Sequence, residues 1–335
     1  VGFIGCGLIA RSHARGLAAT DGAVIGSVHD LDSERATRFA ADMGATAASS
    51  VDEVIAASDA VYVCTWTAAH PELVRAVAAA GRAVFCEKPL AVDADSARAM
   101  TRAVTEARVV NQVGLVLRHS PAFRWLAQKV HDPASGPLMG IVFRDDQYLP
   151  VQGLYQSTWR ADRNRAGAGT LLEHSIHDLD LLRWLLGPIT TVTARHRAFH
   201  GLEGIEDLAT VVLEAASGAQ ATLMSVWHDV LTRPSQRWVE AFCREAVLTL
   251  EGDWNGPVSE ETSAGPEPPV MGEELAALAH ARDGRGTNPD ADFIAAVAEG
   301  RPAHPDFALA LEAHLLADAA YRSAAAGGVP VEVSP

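Results

Sequence analysis

The sequence predicts an α/β chain in two parts: a doubly wound parallel sheet over residues 1–118, then an α+β domain with a largely antiparallel open sheet over 119–335. Three observations predict it. Through the first third, short apolar runs alternate with helical stretches of about ten residues or more, the rhythm of parallel pairing. The first apolar run breaks straight into Gly5-Cys6-Gly7-Leu8-Ile9-Ala10. Beyond Arg118 strand-like stretches are joined by tight connections, Ala216-Ser217-Gly218 and Arg244-Glu245 among them, as in an antiparallel meander.

The elements follow in order. Val1–Ile4 reads as a strand, with the natural start of the chain expected upstream, and a helix follows through His13, Leu17 and Ala18. Ala23–Val28 is a strand that finishes at Asp30; Ser33–Met43 is a helix stopped by Gly44, a C-cap residue. Asp59–Thr65 is a strand, Pro71–Ala80 a helix ended by Gly81, and Ala83–Cys86 a strand running into Glu87-Lys88-Pro89. A helix over Asp95–Ala107 and a strand over Val109–Val116 complete the alternation. In the second part strands are expected at Ile141–Leu149, Thr190–Phe199, Asp207–Glu214, Ala219–Trp227, Arg237–Cys243 and Ala246–Leu250. One helix is expected over Leu171–Leu186, and two more over Asp290–Glu299 and Asp306–Ala325. Residues 255–272, rich in Pro, Gly, Ser and Glu, read as a mobile loop.

A lone G-x-G-x-x-A is a weak signal. Here it follows a strand, opens a helix and is joined by an acid, Asp30, at the end of the second strand, the context of a dinucleotide fingerprint. The glycines let the backbone approach a pyrophosphate, and the helix N-terminus offers unpaired N–H donors. Asp30 would accept from the adenosine ribose hydroxyls, and no arginine follows it immediately, so NAD is favoured over NADP. Gly5, Asp30, Thr65 and Lys88 all fall at the carboxyl ends of strands, which in an open parallel sheet share the ligand-binding edge.

Bulk properties exclude several classes. A formal charge of -15 argues against nucleic acid or an anionic membrane surface as partner. No apolar run approaches the ~20 residues that span a bilayer. The cysteines Cys6, Cys64, Cys86 and Cys243 show no paired spacing, which points to a reduced, cytoplasmic setting.

Only two of the 27 basic Lys+Arg residues are lysines, Lys88 and Lys129. Arginine is always charged, whereas lysine is a compact donor whose pKa falls on burial, so a lysine kept at a strand end fits proton chemistry. On the expected helix 171–186, Glu173, His177 and Asp180 fall at i, i+4 and i+7, on one face. They make a proton-handling set or, equally open from spacing alone, a solvated face. His174 and His177, with Asp178 and Asp180 near, raise a metal site; no further ligand cluster accompanies them, and no metal is expected.

With these residues assembled, the chain resembles the glucose-fructose oxidoreductase / inositol dehydrogenase / MocA (Gfo/Idh/MocA) family of nicotinamide-dependent oxidoreductases. The likeness rests on Gly5–Ala10, Asp30, Thr65 with His70, Glu87-Lys88-Pro89, Trp159-Arg160, the glycine loop Gly167–Gly169, and Glu173 through Asp180. It implies a Rossmann domain, an α/β substrate domain that often builds the oligomer interface, and a homodimer or homotetramer. It implies hydride transfer between NAD and a secondary alcohol of a sugar, inositol or related polyol. Lys88 would hydrogen-bond the reacting hydroxyl, His177 would be the general base, and Glu173 would orient substrate or histidine. The cofactor would lie on Gly5, Cys6, Gly7, Leu8, Ile9, Asp30, Thr65, Trp66, His70, Glu87 and Lys88. The substrate would lie on Lys88, Arg118, Trp159, Arg160, Glu173 and His177. Two departures stand out: the family most often has Asp-x-Gly-x-His where this chain has Glu173-x-Ser175-x-His177, and Trp66-Thr67 replaces the usual Pro and Asn after Thr65. Two rivals stay open: an NAD-dependent glycosidase of the same fold, and a non-catalytic dinucleotide-binding sensor.

Overall fold

The computed structural model describes residues 1–333. Its chain divides into two units, one of residues 1–115 with 288–311, the other of 116–287 with the chain from 312 onward.

The first unit runs β1 (Gly2–Ile4), α1 (Leu8–Ala18), β2 (Ser27–His29), α2 (Ser33–Met43), β3 (Thr46–Ala47), α3 (Val51–Ala56), β4 (Ala60–Val63), α4 (His70–Ala79), β5 (Ala83–Cys86), α5 (Ala94–Ala107) and β6 (Asn111–Val113). The sheet has six strands, all parallel, in the order β3-β2-β1-β4-β5-β6. That reversal of order beside β1 is the switch point of a Rossmann sheet. The helices are punctuated as elementary capping requires. Asp32 accepts from the Arg35 N–H at the head of α2, and Gly44 at φ 67° closes it. Asp93 caps α5 in the same way.

Phe3, Tyr62 and Phe85 are register partners on β1, β4 and β5, so their rings share one face. Tyr62 stacks on Phe85 at 4.6 Å and on Phe3 at 4.9 Å between ring centroids. Phe39 of α2 and Phe293, from a segment far along the chain, close this core.

The second unit contains α6 (Pro121–Val130), β7 (Leu138–Tyr148), α7 (Arg163–Ala166), α8 (Thr170–Glu173), α9 (Ile176–Leu186), β8 (Ile189–Arg197), β9 (Leu208–Ala215), β10 (Gln220–His228), β11 (Gln236–Cys243), β12 (Ala246–Glu251), β13 (Val258–Thr262), β14 (Gly265–Pro266) and α10 (Gly272–Asp283). Next along the chain come α11 (Pro289–Glu299), which belongs to the first unit, then α12 (Phe307–Ala325) and β15 (Val331–Glu332). Nine strands form a sheet in the order β14-β13-β12-β11-β7-β10-β9-β8-β15, antiparallel throughout except between β7 and β10. Its strands alternate buried and exposed residues, so one face is core and the other is open.

The structure corrects the sequence reading at four points. Residues 288–311 belong with the first unit and not with one contiguous domain 119–335, because Phe293 and Ala296 of α11 complete the aromatic core there. Residues 255–272 are not all loop: β13 pairs with β12 despite the Pro/Gly-rich surroundings. The strand expected over Val109–Val116 shortens to β6. The single helix expected over 171–186 is broken into α8 and α9, with consequences described below.

Candidate active site

The parallel register decides which residues share the sheet edge. Ile4 pairs with both His29 and Val63, and Val63 pairs with Cys86. The residue leaving each strand donates across this level: Gly5 N–H to the His29 carbonyl at 2.8 Å, Cys64 to Ile4 at 2.8 Å, and Glu87 to Val63 at 3.0 Å. Gly5, Asp30, Thr65 and Lys88 therefore emerge along one edge of the first unit.

Gly5 has φ 91°, and a Cβ there would sit 2.5 Å from the Cys64 carbonyl oxygen, so the position is closed to other residues. Gly7 has open space around it. Ala10 is fully buried, which explains a small residue at the fingerprint's last position. Leu8 and Ile9 are exposed at the first turn of α1. Unlike α2 and α5, α1 has no side-chain cap and no acid in its first turn. Its unpaired N–H groups suit a pyrophosphate, so these residues fit a bound dinucleotide.

Asp30 Oδ2 accepts from the Cys6 N–H at 2.8 Å and Oδ1 from the Asp32 N–H at 2.9 Å, which ties the acid to the glycine loop. The expectation that no arginine attends it holds only for its immediate neighbours: Arg35, one turn into α2, reaches back to within 3.2 Å of Oδ1. Burial, and then the Asp30 carboxylate, push the Cys6 thiol up to about 12, so it is not a thiolate.

Two residues expected on the cofactor also tie the scaffold together. His70 is buried and bridges the carbonyls of Pro89, at 3.0 Å, and Thr65, at 3.2 Å, joining the loops after β4 and β5. Glu87 is buried; its Oε1 lies 2.7 Å from His13 Nε2, and its Oε2 accepts the Lys88 backbone N–H at 3.1 Å. Thr65, Trp66 and Lys88 are partly exposed at the edge.

In the second unit Glu173 ends α8 and is 1% exposed. Gly169 places that short helix: a Cβ there would meet the Glu206 carbonyl oxygen at 1.8 Å, while the Glu206 carboxylate accepts from the N–H groups of Gly169 and Leu171. Arg160, stacked 4.5 Å over the Trp159 ring, donates Nε to Glu173 Oε1 at 2.7 Å. His177 lies in the first turn of α9, at the rim of burial.

Between them the helix breaks, because His174 and Ser175 turn their side chains to Asp145. His174 Nε2 lies 3.1 Å from Oδ1, and the Ser175 hydroxyl donates to Oδ2 at 2.9 Å. The expected single face of Glu173, His177 and Asp180 is lost with the break. Asp180 is held by Arg118 through two nitrogens, at 2.8 Å each for the shorter contacts, and Arg118 lies 5.1 Å over Trp184. Arg118 is thus buried and engaged with Asp180. Asp178 accepts from Arg237 at 2.6 Å. Asp178 and Asp180 are each taken by an arginine, and among the described residues no three His, Cys, Asp or Glu side chains are grouped to hold a metal ion.

Arg237 was not foreseen. Its guanidinium reaches Asp145, Asp178 and Asp253, and it is fully enclosed. Burial pushes the Asp178 carboxyl up to about 7 against the pull of Arg237. The only sequence signal was an arginine opening a strand whose alternate residues, Val239, Ala241 and Cys243, are apolar.

Residues 1–115 match the oxidoreductase family with an NAD-binding Rossmann fold, and residues 123–249 match the GFO/IDH/MocA C-terminal domain. The inositol 2-dehydrogenase of Rhizobium meliloti (strain 1021) is 30% identical over 97% of this chain and 96% of its own. The 1,5-anhydro-D-fructose reductase of Ensifer adhaerens is 34% identical over 69% of each. Among solved structures, GenD2 from gentamicin A biosynthesis, in complex with NAD, superposes with a TM-score of 0.85 at 27% identity, covering 100% of this chain and 96% of that one. Levoglucosan dehydrogenase, in complex with NADH and L-sorbose, shares the fold with a TM-score of 0.87 at 23% identity, covering 99% and 98%. The chain belongs to the Gfo/Idh/MocA family and is an NAD(P)-dependent oxidoreductase acting on CH–OH groups.

Proposed function

We propose that this family member oxidises a secondary hydroxyl of an inositol, a sugar or a related polyol, with NAD in preference to NADP. The observation that carries the reading is the shared sheet edge: one register level presents the glycine loop, Asp30, Thr65 and Lys88 together. Bound NAD supplies the hydride acceptor. His177 removes the hydroxyl proton as the geminal C–H leaves as hydride, so that the alcohol becomes a ketone. Lys88 hydrogen-bonds the same oxygen and holds it against the base. Glu173, fixed by Arg160, orients the polyol through a neighbouring hydroxyl. Much of the rate gain comes from holding donor and acceptor in contact.

Relatives named for inositol and anhydro-sugars support the substrate class. The open face of the nine-stranded sheet, where Val142, Val212, Met224 and Phe242 are exposed, supports a homodimer or homotetramer. Four free, buried thiols fit a reducing cytoplasm. Among the described residues no helix is long and apolar enough to cross a membrane.

A panel of inositols, sugars, sugar acids and glycosides, followed by NADH absorbance and by product analysis without added cofactor, tests this. NADH production from an inositol or sugar is expected. Glycoside cleavage without net NADH, or NAD binding with no turnover on any member, would overturn the reading.

A further inference from the structure

The first unit holds a charged centre that the hydride-transfer chemistry does not use. His13, on the inward face of α1 with Ala10, Ala14 and Leu17, is 3% exposed. Its Nε2 lies 2.7 Å from Glu87 Oε1 and its Nδ1 2.7 Å from Asp290 Oδ1. Tyr62 donates its hydroxyl to the same Asp290 oxygen at 3.1 Å. The rings of Phe85, at 4.7 Å, and Tyr62, at 5.4 Å, wall the imidazole. Burial opposes a charge here, but hydrogen bonds to Asp290 and Glu87 outweigh it and raise the imidazole pKa to about 10. The space is cut for this cluster. A Cβ on Gly114 would meet Glu87 Oε1 at 2.6 Å, and one on Gly16 would meet Asp290 Oδ2 at 2.1 Å.

Glu87 spends one carboxylate oxygen on His13 and the other on the backbone N–H of Lys88. We infer that His13 is a positioning residue: it clamps Glu87, and Glu87 fixes the main chain from which Lys88 projects. The inference rests on the proposed role of Lys88, and goes beyond it by assigning the control of that lysine to a buried imidazolium that touches neither reactant. The geometry is over-determined for a purely architectural role. Holding α11 to α1 needs only the His13–Asp290 half, whereas the Glu87 half points at the catalytic strand end.

The experiment compares His13→Gln, which can serve one acid but not both, with Glu87→Gln and with Phe39→Leu, a core substitution that removes no hydrogen bond of the His13 cluster. Two quantities are read: kcat per NAD-binding site, and the ¹³C spectrum of the protein after reductive dimethylation. Because the chain has only two lysines, the Lys88 signal is identified by its loss in Lys88→Arg. A misplacement of about an ångström at a reacting group costs up to ~10²-fold. His13→Gln and Glu87→Gln should therefore lower kcat per site by about 10- to 100-fold and move the Lys88 signal while leaving that of Lys129 in place. Phe39→Leu should lower stability and leave both quantities unchanged. A folded His13→Gln or Glu87→Gln protein with an unmoved Lys88 signal and wild-type kcat per site overturns the inference. So does an equal loss of kcat per site in Phe39→Leu. If the native protein turns over no polyol while the Lys88 signal still responds to His13→Gln, the proposed function fails and the positioning role stands.

Discussion

Arg160 sets its Nε 2.7 Å from Oε1 of Glu173 while its guanidinium lies over the Trp159 ring. The pair joins Arg160 to the glutamate that stands where the family most often has aspartate. Glu173 is buried, and its carboxylate meets this arginine at hydrogen-bonding distance from the end of α8. Shortening it breaks one charge-assisted hydrogen bond, worth ~1.5–3 kcal/mol. Glu173→Asp is expected to lower kcat/KM by roughly 10- to 100-fold, and Arg160→Lys to do the same, because a point charge does not replace a planar fork stacked on indole. Steady-state kinetics on the best polyol checks both; an unaffected kcat/KM in both variants removes Glu173 from substrate orientation.

Cofactor choice follows from Asp30 and Arg35 together. Asp30→Ser removes acceptors for the ribose hydroxyls and should weaken NAD by ~1.5–3 kcal/mol for each charge-assisted bond lost. Arg35, released from its contact with the acid, then meets a 2′-phosphate without opposition, so NADP should bind better to Asp30→Ser than to the native chain. Calorimetric titration with both dinucleotides tests this, and tighter binding of NADP than of NAD to the native protein contradicts it.

The His13 cluster also gives stability a pH signature. The imidazole pKa is raised above its ordinary 6.5, so its contribution is complete below 6.5 and is lost as the pH rises through about 10. The Glu87 carboxyl is held below its ordinary 4.5: burial opposes its charge, but the His13 hydrogen bond prevails, so its contribution is present above 4.5 and is lost as the pH falls through the lowered value. Tyr62 and Asp290 are the other groups facing the imidazole. The gap in Tm between native and His13→Gln protein should be widest between pH 4.5 and 6.5 and should shrink toward pH 10, as followed by calorimetry. A gap that does not vary with pH would mean that the imidazole is neutral in the fold.

Removing Arg237 leaves Asp145, Asp178 and Asp253 facing one another without their shared cation. Breaking a buried ion cluster from one side costs ~3–5 kcal/mol, and Arg237→Met should lose that much in urea unfolding at neutral pH. Burial raises the carboxyls of Asp178 and Asp145 above their ordinary range, so their stabilising contribution belongs to the protonated form. It is complete below pH 3.8 and lost as pH rises through the folded values, about 7 for Asp178. The deficit of Arg237→Met should accordingly narrow as the pH is lowered below 7.

The parallel sheet and its carboxyl edge were legible because their determinants are local. Gly5 answers to turn geometry and Ala10 to close packing, and the alternation of strand and helix fixes the edge that Asp30, Thr65 and Lys88 share. Pairings across long sequence separations were not legible. His13 meets Asp290 across 277 residues, and its one sign was a histidine in step with Ala10, Ala14 and Leu17. The helix over 171–186 misled for the opposite reason: its periodicity is real, but Ser175 and His174 bond to Asp145 and break it, and the acids at 178 and 180 answer to arginines on other elements.

His177 is proposed as the base of a dehydrogenase whose cofactor is held elsewhere in the chain. The most direct test of this role is turnover of His177→Ala, with NAD affinity measured on the same preparation. Loss of a positioned general base costs roughly 10²–10⁴-fold. A fall of that size in NADH production is expected, with NAD bound as tightly as in the native protein; near-native turnover by His177→Ala on a verified polyol would rule out this role for His177.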